Sequence, residues 1–370
     1  MMQQNKFPLI LRCGHVLETI DDLINFALQN PNRIKGESRA ISIWIKSFGY
    51  NDEERLEIEK KVQFAALGVR PHEISRDMLD DITAVPKHRY TILQSDSPPQ
   101  MAKMGDRWFN PIDQSEMVYV PAGKFLRGNH QKILMEVLPR LGVPQDKINI
   151  FFDESPEELI YLDGFWIDRY AITNRQYALF LEETGALHEC KNEAERYRCS
   201  RIIKHGNHKG AEFPIHNITW FEAERYCRWA GKTLPTEAQW EKAARGGVDN
   251  RMFPWGNQLD FQRMNTIETS LPFPDGVVVN QNELNVSLYA CIQMSGNVGE
   301  WCLDDYDAEF YSASLHNNPI CLRGKRSEYD KVIRGGSTVR PVAYARCSSR
   351  DYGSPGKELE FVGFRAVCLI

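Results

Sequence analysis

The sequence lacks the features that mark membrane, nucleic-acid-binding and disulfide-built proteins. No stretch approaches 18 uninterrupted apolar residues, so no transmembrane helix is predicted. The first residues, MMQQNKFPLILRCGHVLETIDD, hold a short apolar run without a small-residue cleavage site and do not read as a signal peptide. Charge is nearly balanced, with Lys+Arg 45 against Asp+Glu 50 and a net charge of −5. No basic patch of the kind a nucleic-acid surface needs stands out. The nine cysteines are odd in number and scattered through apolar or amphipathic segments, which suits reduced, buried thiols and a cytoplasmic location. What remains is ordinary for a soluble globular protein: 42% hydrophobic and 26% charged residues over 370 positions, enough for two or three domains.

Two textures divide the chain. Residues 1–95 read as a small all-helical domain. TIDDLINFALQNP sets Ile20, Leu23, Ile24 and Ala27 at helical spacing, and Pro31 closes it. RAISIWIKSFGY fits a second helix or a strand, NDEERLEIEKKVQFAALGV opens on an Asn51–Glu54 capping box, and EISRDMLDDIT makes a fourth short helix. Residues 96–112, with Pro98-Pro99 just inside them, read as a linker. From residue 113 onward the expectation is an α+β domain: short strands, many Trp and Gly, and three strong helices. These start at Thr173 or Asn174, at Thr219, and at Thr236 with a Gln239 capping box, and Gly185 and Gly231 close the first two. Cys227 lies at helical spacing among apolar residues and reads as core. Trp220, Trp240, Trp255 and Trp301 are expected to supply large buried areas. Arg334, Arg346, Arg350 and Arg365 are costly to bury alone, and Glu237, Glu241 and Glu300 are candidate partners.

Seven segments then occur in a telling order: MVYVPAGKFLRG, FWIDRYAITNRQYALFL, FPIHNITWFEAERYCRWAGKTLPTEAQWEKAARGG, FPWGN, MSGNVGEW, VIRGGS and VGFRAV. Together they resemble the formylglycine-generating-enzyme family, also called the sulfatase-modifying-factor family, over about residues 115–370. The resemblance implies the irregular α+β variant of the C-type-lectin-like fold. It also implies where the chemistry belongs. Oxidases of this family hold copper on two cysteines close after the Gly-Gly-Ser turn, and a thiolate pair is the soft donor set that selects Cu(I). Counted from Ser337, those positions are Arg340 and Ala345, and neither supplies a thiolate. No copper is therefore expected, and Cys347 in RCSSR reads as core. A branch of the family that transfers sulfur with iron uses three histidines on a four-helix domain, whereas residues 1–95 hold only His15, His72 and His88.

The resemblance carries over two calcium sets, both made of the oxygen donors that calcium takes. The first has the side chains of Asn265 and Asp275 with the carbonyls of Thr266 and Val277. The second has the side chains of Gln293 and Glu300 with the carbonyls of Gly296 and Val298. Separately, His188, Cys190, Cys199, His205 and His208 could together make a zinc site, at a spacing that matches no common zinc module. His216 reads as structural. The functional expectation is a non-catalytic family member, a ligand- or protein-binding module. Its helical unit at residues 1–95 engages a protein partner, and Arg340 favours a small anionic ligand in the former copper pocket. The alternatives are an oxidoreductase using a non-cysteine metal site and the variable ligand-display protein of a diversity-generating retroelement.

Overall fold

The structure is a computed structural model. It describes residues 9–10, 16–17, 20–29, 91–185, 199–204, 210–247, 250–269, 278–279, 284–325 and 328–370. The chain divides into two units, Met1–Ala84 and Val85–Ile370.

In the first unit, strands β1 (Leu9–Ile10) and β2 (Val16–Leu17) pair antiparallel, Leu9 opposite Leu17. Helix α1 (Ile20–Gln29) forms where the apolar spacing predicts one and buries Leu23, Ile24 and Phe26. The strand pair is an addition to the expected all-helical unit. The three further helices expected there lie outside the described residues.

The second unit opens with strands β3 (Ile92–Leu93), β4 (Arg107–Phe109), β5 (Glu116–Val120) and β6 (Gly123–Arg127). Helix α2 (Gln131–Val137) and a 3-10 helix (Gln145–Glu154) lead to β7 (Glu158–Leu162), β8 (Phe165–Asp168) and helices α3 (Asn174–Glu183), α4 (Trp220–Trp229) and α5 (Glu237–Arg245). Strand β9 (Gly299–Asp305), helix α6 (Phe310–Ala313), β10 (Lys331–Arg334), a 3-10 helix (Val342–Ala345), β11 (Arg350–Gly353), β12 (Val362–Gly363) and β13 (Val367–Leu369) complete it. One sheet runs β13-β8-β5-β4-β3, another β11-β10-β9-β12, and β6 pairs with β7. The stretch 96–112 contributes β4 to the larger sheet; Trp108 is buried and its indole N–H donates to the Ser95 carbonyl at 2.9 Å.

Local chemistry fixes the helices α3, α4 and α5 of the second unit. Thr173, Thr219 and Thr236 each accept the backbone N–H of the third helical residue, while Gln176, Glu222 and Gln239 reach back to the Thr backbone. Helix α4 packs Tyr226 against Tyr177 and Phe180 of α3 at ring-centroid distances of 5.7 and 5.5 Å, with Cys227 in the same core. Helix α5 is buried on nearly every face, including Glu237, Glu241, Lys242 and Arg245. A helix with charges inside needs partners for each, and α5 thereby organises the interior. Trp220, Trp240 and Trp301 are fully buried as expected. Trp255 is not: it is partly buried, stacked on Phe253 at 5.2 Å.

Candidate functional site

The segment from 335 to 351 runs from the end of β10 into β11. It turns at Gly335 and Gly336, both with positive φ. A Cβ on Gly336 would stand 3.0 Å from the backbone of Tyr344 and Ala345, so only glycine lets the two passes of chain approach this closely. A short loop leads to the 3-10 helix Val342–Ala345, whose first N–H is held by both Glu268 carboxylate oxygens at 2.9 and 3.0 Å. Gly296, on a facing loop, has φ +83 and its amide donates to the Gly335 carbonyl at 2.7 Å.

The two positions that would carry copper-ligating thiols have separate environments. Arg340 is at the surface, with 46% of its side chain exposed, and its guanidinium is 2.7 Å from Asp351 Oδ2 and 5.2 Å from the Tyr344 ring centroid. Ala345 is fully buried, and its carbonyl accepts the Ser295 hydroxyl at 2.7 Å. Neither offers a soft donor, so the residues present do not fit a Cu(I) site. Cys347 is also fully buried, in the core as expected, and burial pushes its thiol up to about 12. Arg340 carries the charge expected of it, but Asp351 already neutralises that charge.

Beneath the segment lies a network of buried arginines and carboxylates. Arg334 reaches Glu237 at 2.9 Å and Glu241 at 2.7 Å, and Arg350 reaches Glu237 at 2.7 Å. Arg365 makes a two-pronged pair with Glu300 at 2.7 and 2.8 Å, and the Trp240 indole donates to the same carboxylate at 2.7 Å. These are the acids that the sequence offered as partners. Arg346 takes one it did not: Glu154, bound at 2.8 and 2.6 Å and also accepting the Ser348 hydroxyl at 2.6 Å. The Tyr311 ring is flanked by Arg127 at 4.1 Å and Arg350 at 4.5 Å. Closer to the surface, Asp153 accepts the Tyr306 hydroxyl at 2.9 Å, and Tyr306 stacks on the exposed Tyr352 at 4.1 Å. Burial raises the Asp153 carboxyl to about 7, against the pull of Arg350.

The candidate calcium donors fare differently. In the first set, Asn265 and Thr266 are buried; the Thr266 carbonyl accepts Thr269, and the Asn265 amide nitrogen has no partner. Asp275 and Val277 lie outside the described residues. In the second set, the side chains are committed to protein partners: Glu300 to Arg365 and Trp240, and Gln293 to the Asn297 amide at 2.7 Å and the Val278 carbonyl at 2.9 Å. Gly296 and Val298 are within the same buried loop. Of the candidate zinc residues only Cys199 is described, and it is buried in the core beside α3 and α4; His188, Cys190, His205 and His208 lie outside. Among the described residues, no three His, Cys, Asp or Glu side chains are grouped to hold a metal. His216 stacks on Phe361 at 4.9 Å, which fits its structural reading.

Sequence reasoning missed Glu154, Tyr344 and Asp351. Asp351 directly follows the RCSSR segment, so a search for acids beside the arginines finds it. Glu154 sits 192 residues from Arg346 and gives no local signal.

Residues 107–370 match the family model of the sulfatase-modifying factor enzyme 1-like domain. The chain is similar to the serine/threonine-protein kinase pkn1 of Chlamydia caviae, 32% identical over 257 residues, 68% of this chain. It spans only 37% of that relative's length. It is also similar to the formylglycine-generating enzyme of Thermomonospora curvata, 29% identical over 296 residues, covering 67% of this chain and 92% of that protein. Among solved structures, PvdO from Pseudomonas aeruginosa superposes with a TM-score of 0.54 at 22% identity, over 72% of this chain and 99% of that one. The fold is thus the irregular, lectin-like α+β architecture that the motif order implies.

Proposed function

Because the chain belongs to the sulfatase-modifying-factor family over residues 107–370, we propose that it is a member that binds without oxidising, a ligand- or protein-binding module on the family's scaffold. One observation carries the reading. The scaffold around the Gly-Gly-Ser turn is intact, down to the paired arginines, while the two thiolate positions hold a surface Arg340 engaged with Asp351 and a buried Ala345. The nearest cysteine in sequence, Cys347, is buried and its thiol is held in the protonated form at neutral pH. Residues 1–95 are proposed to engage a protein partner. Calcium is proposed at the first donor set, where Asn265 supplies an oxygen and Asp275 the carboxylate. An anionic ligand on Arg340 would have to displace Asp351.

The test is elemental analysis of protein purified without a metal-affinity tag, followed by Cu(I) titration of the wild type and of the double variant Arg340→Cys, Ala345→Cys. The reading expects no stoichiometric copper or iron in the wild type and a gain of Cu(I) binding in the variant. One copper or iron per wild-type chain, with oxygen consumption on a cysteine-containing peptide, would overturn it and favour the oxidoreductase.

A further inference from the structure

The Arg340–Asp351 pair joins unequal partners. Arg340 stands on a loop whose neighbours Val339 and Pro341 are exposed, and 46% of its side chain is open to solvent. Asp351 belongs to β11, only 20% of its side chain is exposed, and its Oδ1 accepts the Tyr352 amide at 2.9 Å. The third member, Tyr344, is anchored from the 3-10 helix and packs on Phe151 at a centroid distance of 5.1 Å. A partly exposed ion pair of this kind holds a long side chain in place by a factor of only about two to five. When the pair opens, the arginine swings out and the carboxylate and ring stay where the strand and the core put them.

What stays behind is complementary to a cation. A carboxylate 2.7 Å from one guanidinium nitrogen and a tyrosine face 5.2 Å from the guanidinium carbon satisfy the charge and the flat face of such a group together. The surroundings add negative potential: burial first, and then the charges of Asp351 and Asp153, raise the Tyr344 phenol, while Arg340 lowers it. Anion capture by Arg340 requires the opposite event, departure of the member that the fold holds more firmly.

We propose that Asp351 and Tyr344 form a subsite for a guanidinium or alkylammonium group of a ligand, and that Arg340 occupies it in the free protein as an internal stand-in. The proposal rests on the reading of this segment as a binding surface and names the chemistry that surface selects. A ligand bearing such a group docks by exchanging its own cation for that of Arg340, so the net number of ion pairs is conserved and Arg340 is released to solvent.

The experiment is a chemical-shift titration of the full chain with ethylguanidinium and with ethylurea, its neutral isostere, at matched ionic strength. In Arg340→Ala, and in Arg340→Gln as a bulk-preserving check, ethylguanidinium should shift the Asp351 and Tyr352 amides and bind at least about tenfold tighter than ethylurea, the product expected of one ion pair and one cation–π contact. Adding Asp351→Asn should erase that preference, and the wild type should bind ethylguanidinium several-fold more weakly than Arg340→Ala. Equal binding of the two probes, indifference to Asp351→Asn, or wild-type binding as tight as that of Arg340→Ala would each overturn the subsite. The titration reads no metal and no oxygen, so its failure is separable from failure of the non-catalytic reading.

Discussion

Removing Glu154 tests whether the buried ion network holds the 335–351 segment in place. The carboxylate accepts two guanidinium bonds from Arg346 at 2.8 and 2.6 Å and the Ser348 hydroxyl at 2.6 Å, with both charged side chains essentially inaccessible. Glu154→Ala deletes all three bonds and leaves the Arg346 charge inside. Arg346 keeps its Nε–H bond to the Ala343 carbonyl at 2.9 Å and its position over the Phe151 ring at 5.2 Å, so compensation is partial. Breaking one side of a buried pair costs about 3–5 kcal/mol. At roughly 2 °C per kcal/mol, the figure for larger domains, the melting temperature should fall by about 6–10 °C. The assay is thermal unfolding at pH 7 with urea denaturation alongside, comparing Glu154→Ala, Arg346→Met and the double variant Glu154→Leu, Arg346→Met. The double variant removes both charges and should lie within about 2 kcal/mol of the wild type, well above the sum of the single losses. A Glu154→Ala protein within about 1 kcal/mol of the wild type would refute the reasoning, as would a double variant that is worse than either single one.

Two further outcomes follow from the same interior. Cys199, Cys227, Cys291, Cys302, Cys321, Cys347 and Cys368 are buried, and burial raises the thiols of Cys291 to about 11 and of Cys321, Cys347 and Cys368 to about 12. Iodoacetamide at pH 8 should leave all seven unmodified in the native protein and alkylate them after denaturation, as read by peptide mass spectrometry; fast native labelling of Cys347 would contradict its placement. Asp153 titrates at about 7 in the folded chain, against an ordinary carboxyl near 3.8, because burial and its neighbours Glu154 and Glu237 outweigh Arg350. The folded state therefore keeps a proton that the unfolded chain loses, and stability declines as pH rises from about 4 to about 7. Asp153→Asn keeps an oxygen for the Tyr306 hydroxyl and removes the buried charge. It should flatten that decline by up to about one proton and raise stability at pH 8 by about 1–2 kcal/mol. An unchanged slope in urea titrations across pH 5–8 would count against it.

The parts of the fold legible in the sequence are those fixed within a few residues. Thr236 and Gln239 announce a capping box because both of its bonds close inside one turn, and Thr219 with Glu222 carried the same signal unread. The apolar spacing of Ile20, Leu23 and Ile24 likewise places α1. Pairings across long loops were less accessible. That Arg334, Arg350 and Arg365 need acids follows from the cost of burying charge, which narrowed their partners to Glu237, Glu241 and Glu300, but the assignment awaited the topology. The stretch 96–112 is a related case: its prolines and polar residues dominate the composition, whereas the three residues of β4 gain their structure from pairing with β5.

The candidate site shows the sharper form of this difference. Counting from Ser337 identified Arg340 and Ala345, because an absence of thiols at a fixed offset is a one-dimensional fact. What Arg340 does instead depends on which carboxylate lies across from it, and β11 supplies Asp351 only once the segment has folded back at Gly336. An arginine alone suggests an anion; the same arginine held by a strand-borne aspartate and a tyrosine face suggests that the fixed element of recognition is the acid. The sign of the charge that this surface selects is therefore a property of the pair, settled by which member is anchored, and in this chain the anchor is Asp351.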